Sequence, residues 1–137
     1  MKMKAFVIGL CAALTLSACA TSEQQTETAL SADTVQNLVS GNTLSGSTIK
    51  RAQFAIYLNA DGTAIGELSE VRDTGTWEIL ADGRLCTAFS NWEFSTWAGG
   101  NTVCHLVYRT STNYALYDDG RLDAIVTLIS PGNPRNL

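Results

Sequence analysis

The stretch QFAIYLNADGTAIGELSEVRDTGTWEILADGR, residues 53–84, decides the fold. Its apolar residues recur at a period of two, as in residues 54–58, which indicates half-buried β-strands. The Asp-Gly pairs at 61–62 and 82–83 supply the positive φ angles that tight hairpin turns require. Residues 53–84 therefore predict consecutive strands joined as antiparallel hairpins.

The same alternation extends over most of the chain, and a third Asp-Gly pair lies at 119–120. In the last strand Leu122, Ala124, Val126 and Leu128 form one alternating set, and Asp123, Ile125 and Thr127 form the other. Strands are predicted near residues 44–49, 52–58, 63–69, 73–80, 84–90, 102–109, 113–117 and 121–129. About eight strands favour a small antiparallel meander or barrel, because closure removes exposed edges and leaves an interior filled by side chains or one small ligand.

A short helix is predicted ahead of the strands. Ser31 is placed as its N-cap, Leu30 can pack against Val35, and Gly41 ends the helix. One apolar face is formed by Val35, Leu38 and Val39. This face predicts that the helix plugs or flanks the sheet. The predicted fold is mainly β, with one short N-terminal helix.

Residues 1–18 have the pattern of a signal peptide. Lys2 and Lys4 precede an uncharged apolar stretch of 12 residues at 5–16. A bilayer-spanning helix needs about 20 apolar residues, so this stretch is typical of a cleaved segment. An ordinary secretory peptide cut after Ala18 or Ala20 fits the same features.

The sequence Leu16-Ser17-Ala18-Cys19 resembles the lipobox of bacterial lipoprotein precursors. The resemblance implies a diacylglyceryl thioether on Cys19, cleavage before it and acylation of the new amino terminus. Two or more acyl chains anchor a protein stably, so we expect attachment to a membrane. Polar residues 19–29 would form a flexible tether to a domain at 30–137. Ala20 differs from the aspartate of inner-membrane retention signals, which favours the outer membrane, facing the periplasm.

Charge and cysteine content narrow the function further. Without Lys2 and Lys4 the chain keeps seven basic and thirteen acidic residues, a formal charge of −6. This acidity argues against a nucleic-acid partner.

Cys11 leaves with the signal and Cys19 carries lipid, so Cys86 and Cys104 remain in an oxidising compartment and are expected to form a disulfide. A metal site or free thiols are the alternatives.

A set of short motifs is shared with other proteins. They are Ser40-Gly41-Asn42-Thr43, Asp61-Gly62-Thr63, Thr74-Gly75-Thr76-Trp77, Leu85-Cys86, Cys104, Tyr108-Arg109 and Pro131-Gly132-Asn133-Pro134. With them, residues 30–137 resemble a family of small exported alphaproteobacterial proteins of unknown function. The resemblance implies a two-cysteine β domain and no particular activity.

Gly75-Thr76-Trp77 is also similar to the Gly-x-Trp motif of lipocalins, which are calycin barrels. Here the motif lies in mid-chain instead of near the first strand. The similarity implies a tryptophan that seals a barrel, and Trp77 is expected in the core.

The best candidate binding segment is NWEFSTWAGG, residues 91–100. Trp92, Phe94 and Trp97 offer large apolar surfaces, and Tyr57 or Tyr108 would neighbour them as contact residues. A small apolar ligand or another envelope protein is the expected partner. Alternatively, the loop folds over the mouth of the barrel.

Catalytic and metal-binding patterns are weak. His105 is the only histidine, and the chain has no Gly-x-Ser-x-Gly elbow. It is expected to be hydrogen-bonded or on the surface, facing away from Cys104. Asp118, Asp119 and Asp123 suggest calcium, but an Asp-Gly hairpin explains them without a metal. We assign no catalytic residue, no metal and no cofactor.

Three functional hypotheses follow. The first is a non-enzymatic envelope lipoprotein that acts as a binding or interaction module. The second is a structural or assembly accessory of the cell envelope. The third is a hydrolase that uses His105 with nearby carboxylates.

Overall fold

The protein forms a closed eight-stranded antiparallel barrel in a computed structural model that describes residues 28–90 and 102–137. The strands follow one another around the barrel in chain order, and the last pairs with the first. The elements are α1 (Ala32–Val39), β1 (Asn42–Thr48), β2 (Gln53–Leu58), β3 (Thr63–Leu68), β4 (Val71–Ile79), β5 (Leu85–Phe89), β6 (Thr102–Arg109), β7 (Tyr114–Asp118) and β8 (Arg121–Pro131). The predicted mainly β barrel with one short helix is confirmed.

Helix α1 covers one end of the barrel. The Ser31 side chain accepts a hydrogen bond from the Thr34 amide, as an N-cap does. Val35 and Val39 are completely buried in the barrel core, and Leu38 packs partly against it. Within the described ranges, no helix combines the length and the hydropathy needed to cross a bilayer.

The helix lies at one end of the barrel, and three of the hairpin turns lie at the other. At the helix end, the Leu30 amide donates to the Val107 carbonyl at 2.8 Å, and the Gly41 amide donates to the Leu58 carbonyl at 2.7 Å. Because the connections of a meander alternate between ends, the turns at 49–52, 69–70 and 119–120 lie together at the opposite end. We call this the distal end. The described chain begins at residue 28 and joins the barrel at the helix end through Leu30.

Side chains from every strand meet in one apolar core inside the barrel. Its members from the strands include Leu44, Phe54, Leu68, Trp77, Leu85, Val107, Leu116 and Val126. The Trp77 indole Nε1 donates to the Asn59 carbonyl at 2.7 Å, so its polar atom is satisfied although the residue is 7% exposed. The prediction that Trp77 belongs to the core is confirmed.

Two bulges break the simple alternation that the sequence predicts for β8. One extra residue lies between the partners of Leu116 and Tyr117, and another lies between the partners of Ser45 and Gly46. Each extra residue shifts the in-and-out phase of the strand by one position. As a result Asp123 is buried, whereas Leu128 is 58% exposed. The prediction that Leu128 shares a face with Ala124 and Val126 is therefore wrong.

The hairpin turns are mostly those that the Asp-Gly pairs predict. Gly62, Gly83 and Gly120 all have positive φ angles, and all three predicted turns are confirmed. One further turn, Ser69-Glu70, also has two residues at positive φ, 47° and 72°. Its sequence lacks glycine and asparagine, so the start of β4 was predicted at residue 73 instead of Val71.

Cys86 and Cys104 form the predicted disulfide. They are direct register partners on β5 and β6, and their Cα atoms are 4.0 Å apart. The bridge therefore fastens two neighbouring strands, two residue pairs inside the last pair of this ladder, Ala88 with Thr102.

Replacing both cysteines by serine is expected to lower the free energy of unfolding by about 3 kcal/mol, because the unfolded chain regains the entropy of an open loop. Urea unfolding followed by circular dichroism measures the change. The wild-type protein reduced with dithiothreitol is the control and should behave like the double variant. Equal stability of the oxidised wild type and the double variant would contradict this role of the bridge.

Candidate functional site

Of the five aromatic residues predicted as contact residues, only Tyr57 and Tyr108 lie within the described part of the chain. Trp92, Phe94 and Trp97 lie outside the described residues. Tyr57 is half-buried on β2 and Tyr108 is half-buried on β6. Because β2 and β6 are four strands apart in a closed barrel of eight, these two tyrosines lie on opposite sides and do not form one surface.

Tyr108 belongs to a small aromatic contact on the outer face. Its ring centroid lies 5.1 Å from that of Tyr117, with the planes inclined by 68° in an edge-to-face arrangement. Tyr57 lies between Thr43 of β1 and Ile65 of β3. The role of both tyrosines in binding stays a prediction.

A histidine and an aspartate meet inside the barrel. The Nε2 atom of His105 lies 2.9 Å from Oδ2 of Asp123, and their side chains are 2% and 12% exposed. His105 points inward because its register partner, Leu85, lies in the core and partners share a face. Asp123 is the extra residue of the β7–β8 bulge, which turns its carboxylate toward the interior.

Other buried polar groups also lie toward the distal end. Thr48 is the last residue of β1, and its hydroxyl accepts from the Ala52 amide at 3.2 Å. Asp73 lies near the start of β4, and its Oδ1 accepts from the Thr74 amide at 2.8 Å. Asp123 lies near the start of β8. Toward the distal end the core thus contains these polar groups beside the apolar side chains Phe54, Leu68 and Phe89.

The buried pair bears on the hydrolase hypothesis. That hypothesis requires an acid within hydrogen-bond reach of His105, and Asp123 occupies such a position. However, the imidazole is almost completely enclosed, so a substrate would have to enter the barrel to reach it. The arrangement fits a structural hydrogen bond between two strands better than a general base.

The calcium hypothesis required Asp118, Asp119 and Asp123 to converge. Asp119 and Gly120 form the tight turn with φ angles of 45° and 76°, whereas the Asp123 side chain points inward to His105. Among the residues of 28–90 and 102–137, no group of three or more His, Cys, Asp or Glu is placed to hold a metal ion.

A surface groove of about 680 Å³ runs beside Cys104. Asp82, Asp118 and Asp119 contribute carboxylates to it. Arg84 lies in the same groove, and its Nε donates to Asp82 Oδ2 at 2.8 Å. The hydrogen bond from the Arg84 amide and the nearby guanidinium hold the pKa of Asp82 below its ordinary value. The groove therefore carries anionic charge at neutral pH.

Sequence reasoning missed the interior pair because it depends on a bulge. Asp123 follows Leu122 and precedes Ala124, so strict alternation assigns it to the opposite face from these apolar neighbours. An aspartate between apolar residues of a strand was the available signal. A single sequence does not show which residue of β8 is the extra one.

The fold and its contents define a class of protein: a small closed antiparallel barrel that carries a helix across one end and a disulfide between neighbouring strands. No known family model matches the chain. No curated protein matches it in sequence either.

Proposed function

We propose that this protein is a lipid-anchored component of the bacterial cell envelope that works as a non-enzymatic binding or interaction module. The observation that carries the proposal is the disulfide between Cys86 and Cys104, because stable disulfides belong to compartments outside the cytoplasm. The lipobox-like sequence at 16–19 supports the same location and adds an anchor. Ala20 favours the outer membrane, with the domain facing the periplasm.

The packing of the barrel supports contact through the outer surface. All eight strands and α1 contribute side chains to one continuous apolar core. An eight-stranded barrel has an interior just wide enough to be filled in this way. A core of this kind supports a role in which the outer surface of the barrel contacts the partner.

The polarity of the barrel supports a particular orientation. The chain enters at the helix end through Leu30, so an anchor on Cys19 would hold that end nearest the membrane. From Cys19 to Leu30 an extended chain spans at most about 40 Å. Strand β5 ends and β6 begins at the distal end, which this anchor would hold farther from the membrane.

Cys19→Ser is expected to abolish membrane attachment, because serine cannot form the thioether that carries the diacylglycerol. In cells that express the full precursor, the wild type should sediment with the membrane fraction and the variant should not. Mass spectrometry should find acyl chains on the wild-type amino terminus only.

Cys11→Ser is the matched control, since it changes a cysteine inside the segment that is expected to be removed. It should leave membrane attachment and the mature mass unchanged. Equal sedimentation of wild type and Cys19→Ser, or an unmodified wild-type amino terminus, would refute the lipid anchor. Density-gradient separation of inner and outer membranes tests the preference for the outer one.

A further inference from the structure

We propose that a groove on the outer face of the barrel, beside α1, binds an uncharged sugar chain. This amide groove has a volume of about 450 Å³. Its ten lining residues include Asn37, Asn42, Asn113, Tyr114 and Leu128. The proposal rests neither on the segment 91–100 nor on lipidation.

Three asparagines from three different elements bring hydrogen-bonding capacity to the groove. Asn37 lies on α1, Asn42 on β1 and Asn113 in the β6–β7 turn. The Asn42 side-chain amide donates to the Leu38 carbonyl at 2.8 Å, which fixes its side chain. Each amide offers both donors and an acceptor, as the hydroxyl groups of a sugar require.

The floor of the groove is apolar and exposed. Leu128 is 58% exposed, because the bulge in β8 turns it outward. The Tyr114 ring is held in place by Arg109, whose guanidinium carbon lies 5.4 Å from the ring centroid and whose Nη2 donates to the hydroxyl at 3.0 Å. Sugars have apolar C–H faces between polar edges, so a floor of aliphatic groups with a rim of amides matches their surface.

None of the ten lining residues is charged, although the chain as a whole is acidic. Arg109 is engaged with Tyr114 and does not line the groove, so a charged ligand would give up water here without a counterion in the lining. An uncharged ligand avoids this loss. The lining therefore selects for neutral sugars over phosphate-bearing or acidic ones.

An extended peptide is the alternative occupant, because β8 pairs with β7 only as far as Val126, and Leu128 and Ile129 pair with β1 alone. Peptides that dock on sheets commonly add a strand to such a free edge. A peptide held in this way by main-chain hydrogen bonds would leave the amides of the other elements unused, whereas a sugar uses the amides, hydroxyls and aliphatic groups together.

The test is a titration of the full lipidated protein, in micelles of a sugar-free zwitterionic detergent, with two neutral probes. Maltotetraose presents hydroxyl groups alone, and the tetramer of N-acetylglucosamine adds acetamido groups. Calorimetry or NMR should show saturable binding of at least one probe, with a Kd of about 1 mM or tighter. The probe with the lower Kd shows whether the site prefers sugars with hydroxyl groups alone or sugars that also carry acetamido groups.

Leu128→Asp places a charge on the floor and should weaken binding at least tenfold, as should Asn113→Ala. Ile49→Asp is the matched control, because Ile49 is 59% exposed, close to the value for Leu128, and lies outside the groove. It should leave the affinity unchanged. All variants should keep the wild-type circular dichroism spectrum, since each change is made at a partly or largely exposed position.

Binding of neither probe would overturn the proposal, as would binding that Leu128→Asp leaves intact. Concentration-dependent self-association that Leu128→Asp abolishes would also overturn it and would identify a second copy of the chain as the occupant. Lipidation is measured separately with Cys19→Ser, so failure of the sugar site and failure of the lipid anchor are distinguishable.

Discussion

Gly46→Ala is expected to destabilise the barrel by about 3 kcal/mol or more, because the site has no room for a methyl group. A Cβ at this position would lie 2.9 Å from both the carbonyl carbon of Ile125 and the Cα of Val126, and closer still to the Ile125 carbonyl oxygen. All three atoms are backbone atoms, so no rotation of a side chain relieves the clash. Gly46 lies at the bulge where β1 meets β8, the pairing that closes the barrel.

Urea or thermal unfolding measures this effect, and Gly120→Ala provides the control. Gly120 has a φ of 76° and open space around its Cα, so alanine there pays only the cost of a left-handed backbone, about 1 kcal/mol. The difference between the two variants isolates the steric cost at the closing seam. If both variants lost the same small stability, the close approach of β1 and β8 would be wrong.

Asp123→Ala is expected to lower the free energy of unfolding by about 3 kcal/mol, since it removes a hydrogen-bond acceptor from a buried imidazole. His105 is 2% exposed, so water does not easily replace the lost carboxylate. Asp123→Asn keeps the volume and one acceptor oxygen, and its cost should be about 1 kcal/mol. Chemical unfolding monitored by circular dichroism gives all of these values.

A double-mutant cycle separates this pair from its surroundings. His105→Leu combined with Asp123→Leu removes both polar groups, and it should cost less than the sum of the two single changes. A coupling of about 1 kcal/mol or more is expected for two groups that share a hydrogen bond. Strictly additive effects would show that the 2.9 Å contact contributes little to stability.

The strand order of the barrel could be predicted because short local sequence motifs specify its turns. Residues 61–62, 82–83 and 119–120 place glycine where a positive φ is required, and each turn forces the next strand to run antiparallel to the last. The helix was predictable from Ser31 and Gly41 for the same reason. Strand limits were less certain where the turn uses ordinary residues, as at Ser69-Glu70.

The candidate sites were harder to predict, because they depend on how distant strands meet. The disulfide followed from counting cysteines, whereas the pairing of His105 with Asp123 required a bulge whose position is set by the neighbouring strand. The same cause put Leu128 outside the barrel and created the floor of the amide groove. Bulges are tertiary features, and an alternating pattern in one sequence contains no record of them.

The order of the strands also has a consequence for how the molecule folds. Seven of the eight pairings join strands that are neighbours along the chain, and only β1 with β8 joins its two extremes. A chain that crosses a membrane amino end first could form its hairpins one after another as it emerges, since short-range contacts form fastest. Until β8 arrives, however, the growing sheet has two unpaired edges, and these are the surfaces that invite association with other chains. This protein is therefore most open to association with other chains before β8 pairs with β1 and closes the barrel.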